Sequence, residues 1–374
     1  MLRTIAPKIL HLVPVLFVVS LGTFLLLELV PGDPAIAFLG EEATPAEVEI
    51  VQLQLGLDKP LVERYFIWLG DAVTGDLGTS LMFPQSTVTD LVQQAMPLTL
   101  QLAVMALTMS LLLAIPLAMW TAYREGTTVD RVSGAGAAVI ISLPPFLAAL
   151  ILIYFFVFNP TLPKHLLLVV GLVGTLALLV KSVQAGGKEL RPERARRLVG
   201  AVLLLLFTLW ALNKWPTWPR IGFSRLTSGN GFGENLRHTF LPVFVLGMTE
   251  VAIFSRLLRT DLIATLSEDF ILSARAKGIP TWRILMQDAL RPSSFSLITL
   301  AGVGLGRLIG GTVIIETIFG IQGMGRMVAG NITTNDFPIV QGGVLVIATV
   351  YVLLNLFVDV AYSYLDPRIR RGSN

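Results

Sequence analysis

Long apolar runs separated by short polar stretches dominate this chain. Six of them, residues 9–30, 96–120, 132–158, 239–258, 293–319 and 338–364, are long enough to cross a hydrocarbon core of about 30 Å as helices. Two more, 166–180 and 198–212, fall below the usual spanning length. Between the two short runs lies the most basic segment of the chain, with Lys181, Lys188, Arg191, Arg194, Arg196 and Arg197. If both short runs cross, this segment returns to the side that carries Arg3 and Lys8, as the positive-inside rule requires. The pattern therefore predicts an all-α polytopic membrane protein of eight transmembrane helices, with both termini cytoplasmic. A hairpin over 160–220 that dips in without crossing is the rival.

The run over 9–30 has no small-x-small cleavage site before Pro31 and further spans follow, so it reads as a span rather than a signal peptide. Residues 31–95 then fall outside. Their only basic residues are Lys59 and Arg64, which suits an external region. Trp210, Trp215 and Trp218 are expected at the outer interface, where indole rings are favoured.

Composition agrees with a membrane protein. Hydrophobic residues make up 54% of the 374 and charged residues 14%, and the mean hydropathy is +0.73, too apolar for a soluble domain of this length. The net charge of +3 and pI near 9.3 come from basic residues in short loops rather than on one face, so orientation in a bilayer explains them and nucleic acid does not. The chain has no cysteine, which excludes a disulfide framework, a thiolate nucleophile or a cysteine metal site. His11, His165 and His238 are far apart and lack ligand spacing. No phosphate-binding Gly-x-x-x-x-Gly-Lys-Ser/Thr loop is present, and Gly186-Gly187-Lys188 runs on into Glu189. Nor is there a nucleophile triad or a His-Glu zinc motif. No catalytic, cofactor-binding or metal-ligating residue is assigned.

One polar segment, residues 268–292, stands out as chemistry of another kind. Phe270, Ile271, Ala274 and Ala276 repeat at helical spacing and end at Gly278, the residue that most easily takes the left-handed geometry after a helix. Beyond Gly278-Ile279-Pro280, Thr281 is placed to cap a second helix with Trp282, Leu285, Met286 and Leu290 along one side. A helix-turn-helix with an apolar stripe and clustered Arg and Lys suits docking into a groove of another protein. A solvated loop with a local amphipathic helix is the alternative from pattern alone.

Within this segment, Ala274-Arg275-Ala276-Lys277-Gly278 followed by Ala289-Leu290-Arg291 resembles the coupling segment, or EAA loop, of permease subunits in bacterial ABC importers of the dipeptide/oligopeptide/nickel family. Pro31-Gly32-Asp33-Pro34, Leu55-Gly56-Leu57-Asp58-Lys59-Pro60, Gly75-Asp76-Leu77-Gly78, Glu316-Thr317-Ile318-Phe319, Gly323-Met324-Gly325-Arg326 and Asp366-Pro367-Arg368-Ile369-Arg370 are similar to the same family's patterns, in the same order. The resemblance covers residues 1 to about 158 and about 220 to 371. It implies a type I permease fold in a single domain over 1–374, with a six-helix core and the 160–220 hairpin inserted. It also implies that the 268–292 segment docks on an ATPase, with Ser273, Ala274, Arg275, Ala276, Lys277, Gly278, Ile279, Pro280, Thr281 and Trp282 as coupling residues. The implied partners are a second permease, two ATPase subunits that bind ATP and Mg, and an extracytoplasmic solute-binding protein. The implied place is the bacterial plasma membrane and the implied cargo a peptide or similar small solute, moved by alternating access.

Two other readings remain open on the sequence. An ion-coupled secondary transporter needs carboxylates near the midplane; Glu250, Glu316 and Asp359 are the candidates, each read as lying towards the end of its span. A non-transporting scaffold would leave the ordered motifs unexplained. Arg307 sits within the apolar 300–319 stretch among Gly302, Gly304, Gly306, Gly310 and Gly311. A guanidinium at that depth costs about 2.5–3.5 kcal/mol on insertion scales, so it is expected to face protein or water. Glu316 lies near the opposite face of the same helix and is not expected to pair with it. Arg307 either pairs with another helix or the sister permease, or lines the translocation path with Glu316.

Overall fold

The computed structural model describes the chain apart from residues 1, 26–27, 29–31, 185–190, 216–217, 220–221, 225–230 and 366–374. For residues 2–9, 11, 184, 191–193, 359 and 361–365 only the backbone is described. Pro31, Lys188 with its glycines, the 366–370 motif and the side chain of Asp359 therefore lie outside the described residues. The first helix, α1, runs over Leu2–Leu25. The 31–95 region is not a loop but three short helices, α2 (Pro34–Leu39), α3 (Pro45–Gln54) and α4 (Leu61–Thr74), followed by an isolated bridge between Thr79 and Thr87. Next come α5 (Val88–Tyr123), α6 (Thr128–Ser142), α7 (Pro145–Ile153) with a π turn over Tyr154–Phe158, α8 (Thr161–Gln184) and α9 (Arg191–Asn213). The remainder is α10 (Gly231–Leu266), α11 (Asp269–Ala276), α12 (Thr281–Arg283), a π turn over Ile284–Ala289, α13 (Leu290–Phe319), α14 (Met324–Thr333) and α15 (Phe337–Leu365).

Six of these helices are long and apolar enough to cross a membrane, or seven when α6 and α7 count as one bent span; α1 adds a shorter apolar stretch, Leu12–Leu25. Both short runs of the 160–220 hairpin lie in helices that reach spanning length, because polar residues extend them: Thr161–Val183 and Arg194–Asn213. The predicted straight span over 132–158 is instead two helices at 100°. The cause is local. Pro144 and Pro145 lack N–H donors, and the residue before a proline is driven out of the α region; Leu143 is accordingly extended at φ −87°, ψ 118°.

The motifs of the 31–95 region become caps and turns. Asp33 caps α2 by accepting from Ala35 N at 2.8 Å, and Gly75 ends α4 in the left-handed conformation at φ 94°. Thr44 and Glu47 form a reciprocal capping box on α3, and the hydrogen bonds from Thr44, its hydroxyl first, hold the Glu47 carboxyl below its ordinary range.

The core is a close packing of α5, α10 and α13, with α10 lying most extensively along α5. Ala106, Ser110, Ala114 and Ala118 repeat every fourth residue on α5 and are fully buried, so the two backbones approach closely. A Cβ on Gly247 of α10 would stand 2.4 Å from Met109 Cε and 3.0 Å from the Ala106 carbonyl oxygen. There the Ser110 hydroxyl donates to the Gly247 carbonyl at 2.9 Å. The glycines of α13 divide their work: Gly302 and Gly306 admit Val358 and Tyr351 of α15, whereas Gly304 faces Phe254 and Glu250 of α10.

Candidate functional site

The 268–292 segment forms the expected helix-turn-helix. α11 ends in a paired closure: Gly278 N donates to Arg275 O at 3.0 Å and Ile279 N to Ala274 O at 3.2 Å. Gly278 sits between them at φ 73°. This is the Schellman arrangement, which needs a left-handed residue at the position Gly278 fills. Ile279 then packs into the same apolar cluster as Ala274, the contact that usually accompanies that closure.

The second half differs from expectation in two ways. Thr281 does not cap; Pro280 occupies the cap position, no side chain bonds there, and its carbonyl accepts from Arg283 N at 2.9 Å. The expected stripe also splits. Leu285 turns inward with Ile284 and Ala289, Leu290 is half-buried, and Trp282 and Met286 stay 65% and 53% exposed. The π turn accounts for this, because its wider register rotates successive side chains away from a uniform 3.6 spacing. From Thr281 to Phe319 the chain nevertheless runs as one helix, so the turn region and the long α13 are mechanically continuous.

The segment therefore has two faces. Ile271, Ala274, Ile284 and Ala289 are buried in a cluster with Ala114, Ala118, Phe254, Leu258, Leu262 and Leu297, the α5–α10–α13 ends. Ser273, Arg275, Ala276, Lys277, Gly278, Pro280, Thr281, Trp282 and Arg283 are all exposed on the other, together with Leu272, which is half exposed. Of the candidate coupling residues, only Ala274 is buried and Ile279 half-buried; the rest form an outward surface.

Deeper in the molecule, Arg307 pairs with Glu250 of α10, Nε donating to Oε1 at 3.0 Å and Nη2 to Oε2 at 2.8 Å. The ion pair with another helix is thus present within this chain. Glu250, expected near a span end, lies close to the middle of α10 (Gly231–Leu266), as it does of the apolar run 239–258. Glu316 is fully buried and does not face a passage. It accepts from the Thr99 hydroxyl at 2.6 Å and from Arg326 N at 2.9 Å, while Thr99 accepts from Met324 N at 2.8 Å. Together they satisfy two of the orphan donors at the start of α14, where a carboxylate is favoured. Gly323 leaves the room: a Cβ there would be 2.3 Å from Glu316 Oε1. Glu316 and the Gly323–Arg326 motif are one structural unit.

Comparison with known proteins matches residues 114–371 to the family model described as binding-protein-dependent transport system inner membrane component. Residues 1–103 match the N-terminal model of the same systems. This chain belongs to that family of transport permeases. It is 34% identical, over 94% of its length and 92% of the relative's, to a probable D,D-dipeptide transport system permease protein of Escherichia coli K12. It is also 29% identical, over 97% and 98%, to a dipeptide transport system permease protein of Alkalihalophilus pseudofirmus. A probable peptide ABC transporter permease protein of Sinorhizobium fredii is 29% identical over 97% of each chain. The protein is thus a multi-pass membrane permease subunit of an ABC importer. Its relatives are permease subunits rather than ATPases, and the family works with separate ATPase and solute-binding components.

Three features of the permease escaped the sequence reading. Asp336 is fully buried and accepts from the Ser80 hydroxyl at 2.5 Å, Met82 N at 3.1 Å and Leu81 N at 3.2 Å, tying the loop after α4 to the start of α15. Asp130 of α6 grips Arg259 of α10 through two bonds of 2.6 and 2.7 Å. Trp215 and Trp218 are not simple interface anchors; they stack on Phe156 at 5.9 Å and Phe240 at 4.7 Å. Of these three tryptophans, Trp210 alone is largely exposed. An acidic residue flanking an apolar run, with a basic residue on a distant helix, was the available signal for Asp130 and Arg259, but spacing alone does not pair them.

Proposed function

We propose that this permease is one of two related membrane subunits of a bacterial peptide importer, driven by two ATPase subunits and supplied by an extracytoplasmic solute-binding protein. The observation that carries the proposal is the two-faced segment. Its inner face is packed into the ends of α5, α10 and α13, and its outer face exposes Trp282, Arg275 and Lys277 without a partner among the described residues. An exposed apolar anchor ringed by basic residues is the surface expected of a docked element. The names of the similar permeases, which concern dipeptides and peptides, support the cargo.

Nucleotide and Mg are held by the ATPase subunits; this chain contributes the lever. Because α10 leads into the segment and α12–α13 leaves it as one helix, a displacement of the docked turn moves both long helices. The Arg307–Glu250 and Arg259–Asp130 pairs tie α10 to α13 and to α6, so these helices rock as a body. ATPase closure then turns the passage from inward-open to outward-open, and reset follows hydrolysis. On this reading the protein lies in the plasma membrane with both termini and the 181–197 segment cytoplasmic, and α8 and α9 complete eight crossings.

Neither rival reading has a comparable anchor. Glu250 is already held by Arg307, and Glu316 is committed to Thr99 and the α14 N-terminus, so neither is a free carboxylate for a coupling ion. The test is to purify the tagged full-length permease from its native membrane and assay the eluate. Co-elution of a second permease and an ATPase, with ATP hydrolysis stimulated by peptide-loaded binding protein, is expected. Ion-gradient-driven uptake by the permease alone would contradict the proposal.

A further inference from the structure

The exposed face of α13 is not built for lipid. Ser296, Thr299, Val303, Arg307, Gly310, Ile314 and Thr317 follow one another at helical spacing along it, all exposed, and only Val303 and Ile314 among them are apolar. A Cβ on Gly310 or Gly311 would meet nothing within 4 Å. The contrast is α8, whose exposed side presents Leu166, Val169, Val170, Val173 and Leu176, the side chains a hydrocarbon phase selects. A face in which hydroxyls, glycines and one guanidinium outnumber the two apolar side chains, Val303 and Ile314, fits water or a polar solute.

Arg307 is central to that face, twelve residues before the end of α13 at Phe319, or about 18 Å along the axis at about 1.5 Å per residue. Its side chain is 50% exposed while Glu250 behind it is 4% exposed. The pairing uses one edge of the guanidinium: Nε and one Nη2 hydrogen go to Glu250. The other edge, both Nη1 hydrogens and the second Nη2 hydrogen, forms no hydrogen bond among the described residues. That edge is itself a fork matched to a carboxylate.

We infer that this face lines the passage of the importer proposed above, and that the outward edge of Arg307, positioned by Glu250, receives the C-terminal carboxylate of a passing peptide. The assignment rests on that reading of the function. A free C-terminus is the anion that peptides share whatever their side chains, so one fixed cation serves cargo of varied sequence. Glu250 orients the fork and offsets part of its charge. The site is therefore weak, as a transport path requires: favourable enough to enter, not tight enough to hold.

The experiment is uptake by the assembled transporter of a mixture of two- to five-residue peptides, each supplied as free acid and as C-terminal amide, read by mass. Any preference of the binding protein is common to all variants, so the acid-to-amide ratio isolates the permease. Arg307→Gln is expected to lower that ratio about tenfold, the loss of one charge-assisted contact, while the complex still co-purifies. Arg307→Lys is expected to restore part of it. Glu250→Gln, which unmasks the cation, is expected to raise it, a response that a purely structural pair would not give. Equal loss for acid and amide, an unchanged ratio, or a complex that no longer assembles in all three variants would overturn the assignment. If the native complex takes up neither form of any peptide, the peptide reading itself fails, and the carboxylate site with it.

Discussion

Two helix pairs of similar apolarity behave differently in this molecule. In α10 and in the α12–α13 helix, 61% and 44% of the most apolar stretch is buried; in α8 and α9 the figures are 17% and 11%. Small residues seat the core pair against each other, Gly304 against Phe254 and Glu250, and against their neighbours, Gly247 against Met109 and Ala106 of α5 and Gly302 against Val358 of α15. The α8–α9 hairpin also has a tight point, Gly171 against Thr208, but it packs chiefly on itself and touches the rest only weakly, near the π turn after α7. Hydropathy alone scores both as spans. What separates them is where the small residues lie, and hence which helices can transmit force. The 268–292 segment grows out of the densely packed pair, and the hairpin stands aside from it.

The largest break in this comparison is expected from Gly247→Leu. The added side chain collides with a backbone carbonyl as well as Met109. Overpacking of this kind costs about 1–3 kcal/mol or more, and the solubilised transporter should show a lowered thermal midpoint and lose its ATPase partner. Gly278→Val comes next. Nothing crowds its Cβ, but φ of 73° strains a β-branched residue by about 1–3 kcal/mol. Permease insertion should be intact on membrane fractionation, with ATPase co-purification reduced about tenfold or more and uptake uncoupled from hydrolysis; normal substrate-stimulated ATPase activity and uptake would refute the turn's role. Trp282→Ala, at a side chain 65% exposed, should leave stability unchanged and weaken ATPase binding about thirtyfold, as removal of an aromatic anchor worth about 2 kcal/mol does. The smallest effect is expected from Gly171→Leu. It clashes with Thr208 as severely as Gly247→Leu clashes with Met109, yet uptake should fall less than about twofold, because opening the hairpin leaves the lever whole. A loss of uptake equal to that of Gly247→Leu would erase the distinction between the two pairs.

Much of this was legible in the pattern of residues, and the failures have physical causes. Apolar runs located most long helices, and Gly278 marked its turn because few other residues adopt that geometry. The bend between α6 and α7 was also written, in Pro144-Pro145, but periodicity treats two apolar halves as one. Helix ends were the weak point. α5 begins at Val88 and α10 at Gly231, each with a polar first turn that hydropathy discards. The division of the α13 glycines among α15, α10 and open space depends on which helix lies opposite, which no single sequence states. Glu316 was singled out correctly as a charged residue in an apolar stretch, but its role, holding the start of α14, required the return of the chain through Gly323.

The central claim is that the exposed turn of the 268–292 segment is the point where an ATPase grips this permease. Because the native sequence has no cysteine, Lys277→Cys gives a single thiol at the exposed C-cap of α11. A thiol-linked photocross-linker there, in membranes holding the assembled transporter, is expected to yield one adduct, permease joined to ATPase, that disappears in the Gly278→Val background. The same probe at Leu172→Cys on the exposed side of α8 is expected to yield none. Absence of the adduct at position 277, or equal yield from position 172, would contradict the account.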